Sequence, residues 1–428
     1  MTIWYDVSGL YDWKGAFTGI QRVVYNLAEA LRNEPDLKLF IYQQGAFSEI
    51  SFDELESKLV VARAEVPERQ SQNQRLTRAQ LQHYTVLAAK RLVLGSPVEA
   101  PLRKAYTQLR RGYRSMKNRR PPTVQPVPFQ AGDQVVVVDG NWQFPGYAQE
   151  LTRTKQLVAF QLVHFVHDLV AIKNPAFANT GAKQIIGGYF AEIFGIVDLI
   201  ICVSQATRRD VEWLISDLGV TRPIATHVLT SGSNVTTQGE RIVTKPAIPL
   251  PKEFILAVST IEIRKNYLLL YYAYKLAAEQ KLNLPTLLIV GRKGWMSEET
   301  YALLTLDTEL QDKIKVLHGI SDPELEWLYE HCAFTISPAF AEGWGLTIAE
   351  SFAHGKACIS SNTSSMPEVG KDMAYYISPY DPAAVVAAIL HYQQPAQRKA
   401  AEARIRSGYK ARTWQQVATE LYAVLTKQ

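Results

Sequence analysis

Glu342 and Glu350 stand eight residues apart in the segment Phe340-Ala-Glu-Gly-Trp-Gly-Leu-Thr-Ile-Ala-Glu-Ser-Phe-Ala-His-Gly355. Gly343 and Gly345 make its first half a pliant loop, and the apolar residues that follow read as a short helix stopping at Gly355. Glycines let backbone N–H groups approach a ligand closely, and a helix start directs unpaired N–H groups and a positive dipole end at the same point. The N–H groups at Gly345, Leu346 and Thr347 therefore outline a phosphate site. A carboxylate repels phosphate, so the two acids suit hydroxyl donors flanking it: a ribose for Glu350 and a sugar for Glu342. Together these features point to a nucleotide sugar as ligand.

Other side chains fit such a ligand. Arg264 and Lys265 lie in Ser259-Thr-Ile-Glu-Ile-Arg-Lys-Asn266, between a strand-like run and a helical one. Fixed cations there would stabilise charge accumulating on a departing phosphate. His167 ends the apolar run Leu162–Val166 and precedes Asp168; His164, three residues earlier, is its rival. Arg292, in Val290-Gly-Arg-Lys-Gly-Trp295, is a candidate nucleotide contact. No metal-ligand spacing or Asp-x-Asp pattern is visible, so neither a metal nor another cofactor is expected.

These residues need a scaffold. The chain opens as strand (Thr2–Val7), loop (Gly9 to Gly19) and amphipathic helix (Ile20–Leu31). Further strand-like runs at Leu39–Tyr42, Gln134–Asp139, Leu162–Val166, Leu199–Val203 and His227–Leu229 are mostly separated by helical patterns, as in a parallel sheet covered on both faces. A proline-ended stretch from Gly239 to Pro251 reads as a linker. A second series follows at Phe254–Val258, Thr286–Val290, Lys315–His318, Ala333–Ser337 and Ala357–Ser360. Two Rossmann-like α/β domains are expected, 1–240 and 241–408, facing each other across a cleft with ligands at the carboxyl ends of the strands.

The paired glutamates and the downstream Lys356-Ala-Cys-Ile-Ser-Ser-Asn-Thr-Ser-Ser-Met-Pro-Glu-Val369 resemble the retaining glycosyltransferases of family 4. Two positions depart from the usual wording: Trp344 stands where Phe or Tyr is frequent, and Thr347 where Pro is frequent. The resemblance implies the GT-B fold, with the terminal segment 409–428 returning to pack on the first domain. It implies transfer of a hexose or deoxyhexose, such as mannose or rhamnose, from a nucleoside diphosphate to a glycan or lipid-linked hydroxyl in surface polysaccharide assembly. In that scheme Arg264 and Lys265 neutralise the diphosphate, and Gly19 admits the donor phosphate or the acceptor. His167 faces the reacting sugar, and Val203-Ser-Gln-Ala-Thr-Arg-Arg-Asp210 is scaffold with Ser204 as its N-cap. Retention would proceed by attack on the leaving-group face, the phosphate oxygen taking the acceptor proton; double displacement through Glu342 stays open.

Composition fits an ordinary globular protein. The 428 residues are 47% hydrophobic and 20% charged, with a formal charge of +5, which argues against a dedicated nucleic-acid binder. Three cysteines, Cys202, Cys332 and Cys358, sit in apolar runs and read as buried thiols. Neither a signal peptide nor a run of about 18 uncharged apolar residues is visible, so a cytoplasmic location is expected. Between Pro101 and Pro122 lie eight basic residues and no acid, with Leu102, Tyr106, Leu109, Tyr113 and Met116 on one helical face. That helix either docks on an anionic membrane, making the protein peripheral on the inner face of the plasma membrane, or packs on its own domain. The alternative readings are a non-catalytic sugar-nucleotide-binding module, a nucleic-acid binder using the basic helix, and an epimerase of similar architecture.

Overall fold

The computed structural model describes residues 1–13, 17, 19–64, 128–233 and 242–427. The basic segment 101–122 and the first residues of the expected linker, 239–241, lie outside them. The first domain is a seven-stranded sheet of β1 (Ile3–Asp6), β2 (Leu37–Gln43), β3 (Ala46–Ile50), β4 (Gln134–Val137), β5 (Gln161–Val166), β6 (Leu199–Cys202) and β7 (Ala225–Val228), in the order β3-β2-β1-β4-β5-β6-β7. The second holds β8 (Phe254–Val258), β9 (Thr286–Val290), β10 (Ile314–Leu317), β11 (Phe334–Ser337), β12 (Cys358–Ser361) and β13 (Tyr375–Ile377), in the order β10-β9-β8-β11-β12-β13. Each order reverses direction once, between β1 and β4 and between β8 and β11. In open α/β sheets that switch point opens a crevice outside the carboxyl ends of the strands.

The central strands are buried along their length because helices cover both faces, hence their continuous Val, Ile and Leu runs. β3 departs from the expected parallel pattern. It pairs antiparallel with β2 through a two-residue turn at Gln44 and Gly45, whose φ values of 51° and 86° suit a tight hairpin. The expected loop after β1 contains a four-residue helix, Ser8–Tyr11, in which the Ser8 N–H donates to Asp6 Oδ1 at 2.8 Å. Ser204 does cap its helix, accepting from the Thr207 N–H.

The helix Trp414–Thr426 packs on the first domain. Trp414, Val417, Ala418, Leu421 and Leu425 share one buried cluster with β1 and the helix Gly19–Leu31. Gly232 is needed on the way: a Cβ there would lie 2.7 Å from the Trp414 ring. The three cysteines are buried, and burial pushes each thiol up to about 12. No helix among the described residues is long and apolar enough to cross a membrane.

Candidate active site

β8 and β11 flank the second domain's switch point, and the loops after them carry the predicted residues. After β8 comes a single 3₁₀ turn, Ile263–Lys265, closed by Asn266 in the left-handed region at φ 58°. The Asn266 side-chain amide donates to the carbonyls of Pro338 and Pro379, and the Phe340 N–H donates to the Arg264 carbonyl at 2.9 Å. The cation loop and the glutamate loop are thus tied together by one backbone bond and by the Asn266 side chain.

Arg264 Nη1 reaches Glu342 Oε2 at 2.8 Å and the Ala341 carbonyl at 2.9 Å, while Lys265 Nζ reaches Glu342 Oε1 at 2.5 Å. Glu262 accepts from the other face of the guanidinium, with Arg264 Nη2 at 2.9 Å from its Oε1. Burial raises the Glu342 carboxyl, but Lys265 and Arg264 outweigh it and hold the group below its ordinary value, so it is ionised. Burial instead dominates at Glu262 and pushes its carboxyl upward against the same two cations. A small recess opens beside this cluster, lined by Val258, Ser259, Lys265, Ser337, Glu342 and Thr347.

Gly345 starts the helix Leu346–Ala353 with φ +102°, a conformation that favours glycine. The first-turn N–H groups of Leu346 and Thr347 have no intrahelical partner, and Thr347 lines the recess. The Ser/Asn-rich turn downstream holds this loop. Thr363 donates to the Phe340 carbonyl, Ser364 and Ser365 to that of Glu342, and Ser365 also to that of Trp344.

Glu350 lies one helical turn on and has different partners. It is 3% exposed; its Oε2 accepts from Tyr329 at 2.7 Å, and its Oε1 accepts from Arg22 Nη1, on the first domain, at 2.9 Å. Arg22 also reaches Asp322 Oδ1 at 3.0 Å. Sequence reasoning missed Arg22 and Tyr329. One signal was present: Arg22 falls in the first turn of the helix Gly19–Leu31, where a cation opposes the dipole and needs an acidic partner.

The first domain meets the glutamate loop at His167. Gly343 lies so close that a Cβ on it would stand 2.0 Å from the His167 carbonyl oxygen, and the Thr207 hydroxyl is 3.3 Å from both that oxygen and the Gly343 carbonyl. His167 Nε2 lies 2.7 Å from the Val138 carbonyl. A carbonyl only accepts, so Nε2 carries the proton, and burial lowers the ring's pKa from its ordinary value. The neutral ring is left with Nδ1 as an acceptor. His164 is fully buried against the Tyr189 hydroxyl at 2.8 Å, with burial taking it down to about 3. Glu368 is another missed contact: its two oxygens accept from the Gln205 and Ala206 N–H groups at 2.8 and 2.7 Å, capping a first-domain helix from the second domain.

Two other predicted residues lie on neighbouring elements, the Arg292 carbonyl accepting from the Ile261 N–H of the cation loop at 2.9 Å. Gly19 begins its helix with open space where a Cβ would be. Arg292 is exposed, its guanidinium 5.3 Å from the centre of the Trp13 ring. Among the described residues no group of three or more His, Cys, Asp or Glu is placed to hold a metal ion.

Residues 239–410 match the family described as glycosyl transferases group 1. O-antigen chain mannosyltransferase B of Escherichia coli is 32% identical over 169 residues, which are 39% of this chain and 44% of that protein. The chain thus spans less than half the length of this relative. Sucrose-phosphate synthase of Thermosynechococcus elongatus superposes with a TM-score of 0.60 at 15% identity, covering 100% of this chain and 98% of that one. Anabaena HepE, solved with UDP and glucose, gives 0.59 at 15% identity, with both chains covered in full. The chain has the GT-B fold, and its second domain matches the glycosyl transferases group 1.

Proposed function

We propose that the protein is a retaining, metal-independent glycosyltransferase of family 4. It transfers a hexose or deoxyhexose from a nucleoside diphosphate to a hydroxyl of a glycan or lipid-linked acceptor in surface polysaccharide assembly. The observation that carries this reading is the convergence of Arg264 and Lys265 on Glu342, beside a helix start, at the carboxyl ends of β8 and β11. The similarity to O-antigen chain mannosyltransferase B favours mannose as the sugar.

On this reading the diphosphate lies against the N–H groups of Leu346 and Thr347. Arg264 and Lys265 turn from Glu342 toward it, and their attraction strengthens as the sugar–phosphate bond breaks and charge gathers on the departing oxygen. That concentrated positive charge supplies the leaving-group stabilisation that a metal gives elsewhere. Glu342, released by the cations, accepts from donor-sugar hydroxyls, and Glu350 accepts from the ribose. His167, neutral with Nδ1 open, accepts a sugar hydroxyl without placing a competing cation beside the developing oxocarbenium charge. The departing phosphate oxygen takes the acceptor proton, so attack comes from the leaving-group face and configuration is kept. Gly19 and Arg292 are proposed as outer donor contacts. The location proposed is the cytoplasm, with the basic segment 101–122 docking on anionic lipid at the inner face of the plasma membrane.

The test incubates the purified chain with UDP-, GDP- and ADP-sugars plus a polysaccharide or lipid-extract acceptor, and follows nucleoside diphosphate release and product anomer by NMR. Acceptor-dependent release with retained configuration, unaffected by EDTA, is expected. No turnover with any donor, an inverted product or loss of activity in EDTA would each overturn the corresponding part.

A further inference from the structure

Arg22 occupies the place on Glu350 that the proposed reading gives to the ribose. It comes from the first domain, whereas the other donor-site side chains around Glu350 belong to the second. Its side chain is 15% exposed and that of Glu350 4%, so the pair is largely removed from water. Tyr329 already takes Oε2, leaving Oε1 as the oxygen a new hydroxyl donor has to reach. Arg22 Nη1 is on it. Losing that partner does not strand the arginine, because Nη2 is held by Asp322, which is 52% exposed and draws the guanidinium outward.

We infer that Arg22 is a first-domain residue of the donor site: it holds Glu350 Oε1 in the empty enzyme, is displaced by the hydroxyls of the entering nucleotide, and so sets nucleotide affinity. This inference rests on the proposed role of Glu350. Three physical points support it. A carboxylate this deeply buried needs a donor on each oxygen, so Arg22 keeps Oε1 satisfied while the site is empty. Asp322 keeps the released guanidinium paired, which makes the exchange reversible. Asp322 also belongs to the second domain, so Arg22 keeps the helix Gly19–Leu31 tied to that domain while Glu350 changes partner, and the exchange needs no separation of the domains.

The test is calorimetric titration of the full chain with UDP, GDP and ADP. Arg22→Met keeps the packing of the stem but removes the competing N–H, and should tighten the best-bound nucleotide at least about tenfold, the size of a lost charged hydrogen bond. Asp322→Asn, at an exposed position, lets Arg22 commit fully to Glu350 and should change affinity in the opposite direction. Loss of a merely structural ion pair would weaken binding in both variants. Unchanged or weaker binding by Arg22→Met, or no binding of any of the three nucleotides, overturns the inference. Glu350→Gln separates the two levels of the argument. If it weakens binding while Arg22→Met has no effect, the ribose role stands and the inference falls. If it leaves binding unchanged, the ribose role and the inference fall together. Should Arg22→Met prove poorly folded, Arg22→Leu, which likewise removes the competing N–H, is titrated in its place with the same expected tightening and the same overturning result.

Discussion

Gly343→Ala separates geometry from chemistry at the proposed centre. Gly343 is not among the residues with positive φ, so alanine fits its backbone conformation and the added methyl is the whole perturbation. That methyl would lie 2.0 Å from the His167 carbonyl oxygen and 3.0 Å from the carbonyl carbon. Carbon–oxygen contacts settle at about 3.3–3.6 Å, so the loop or the opposing domain has to retreat by roughly 1.3 Å or more. The glutamate loop is pinned by Thr363, Ser364 and Ser365, so the retreat is transmitted to Glu342 and its cations, two residues from Phe340. A displacement of about 1 Å in a positioned group costs on the order of 10²-fold in rate. Transfer by the variant, measured as nucleoside diphosphate release at saturating donor, should fall by about that factor, and the melting temperature should fall as well, because the clash is with backbone and overpacking costs about 1–3 kcal/mol. Gly187→Ala is the control. It lies within the helix Ala182–Ile196 with open space around its missing Cβ, and should gain about 0.5–1 kcal/mol of stability at unchanged turnover. Wild-type turnover in Gly343→Ala would refute the claim that the approach of His167 to this loop matters.

Lys265→Ala should lower kcat by about 10²-fold with a smaller change in donor affinity, because its proposed contact strengthens as the leaving group gains charge; near-normal transfer would remove it from that role. Asp139 is 2% exposed, and burial raises its carboxyl from 3.8 to about 6, so the folded chain binds this proton more tightly than the unfolded one. The resulting stability is complete below the unfolded value and is lost as pH rises through about 6, a loss of about 3 kcal/mol at 1.36 kcal/mol per unit. Asp139→Asn should therefore raise stability relative to the parent at pH 7.5 far more than at pH 4.5 in urea unfolding, and an equal difference at both pH values would contradict the shift.

The sequence revealed what local pattern controls. Continuous aliphatic runs marked the central strands because both sheet faces are covered, and the parallel order followed from the helices between them. β3, Ala46-Phe-Ser-Glu-Ile50, escaped because an edge strand is half polar and its hairpin turn, Gln44-Gly45, is not among the strongest turn pairs. β13 escaped because it has only three residues, Tyr375–Ile377. At the site, the glycines and glutamates were legible because loop and helix start are adjacent in the chain, and so were Arg264 and Lys265, at a strand's end. Arg22, Thr207 and Glu368 were not, since their partners lie 328, 136 and about 160 residues away and no local pattern records such a pairing. The masking of polarity also differs: Tyr329 reads as one more apolar residue of its helix, although its hydroxyl is what meets Glu350.

The two acids of the pair have in common that a cation already occupies each. Glu342 is held by Arg264 and Lys265 within its own domain, and Glu350 by Arg22 from the other. On the proposed reading, binding is an exchange of partners: phosphates take cations and hydroxyls take acids. A free phosphate would draw Lys265 and Arg264 away and leave Glu342 buried without donors, while a free sugar would satisfy Glu342 and leave Lys265 short of an anion, Arg264 keeping only Glu262. Either half alone incurs the cost of an uncompensated buried charge, several kcal/mol by the usual measure. Only a ligand carrying a diphosphate between two hydroxyl-bearing rings relieves both sides at once. Discrimination against fragments of the donor then arises from the pairs that the empty site already contains, not from contacts added on binding.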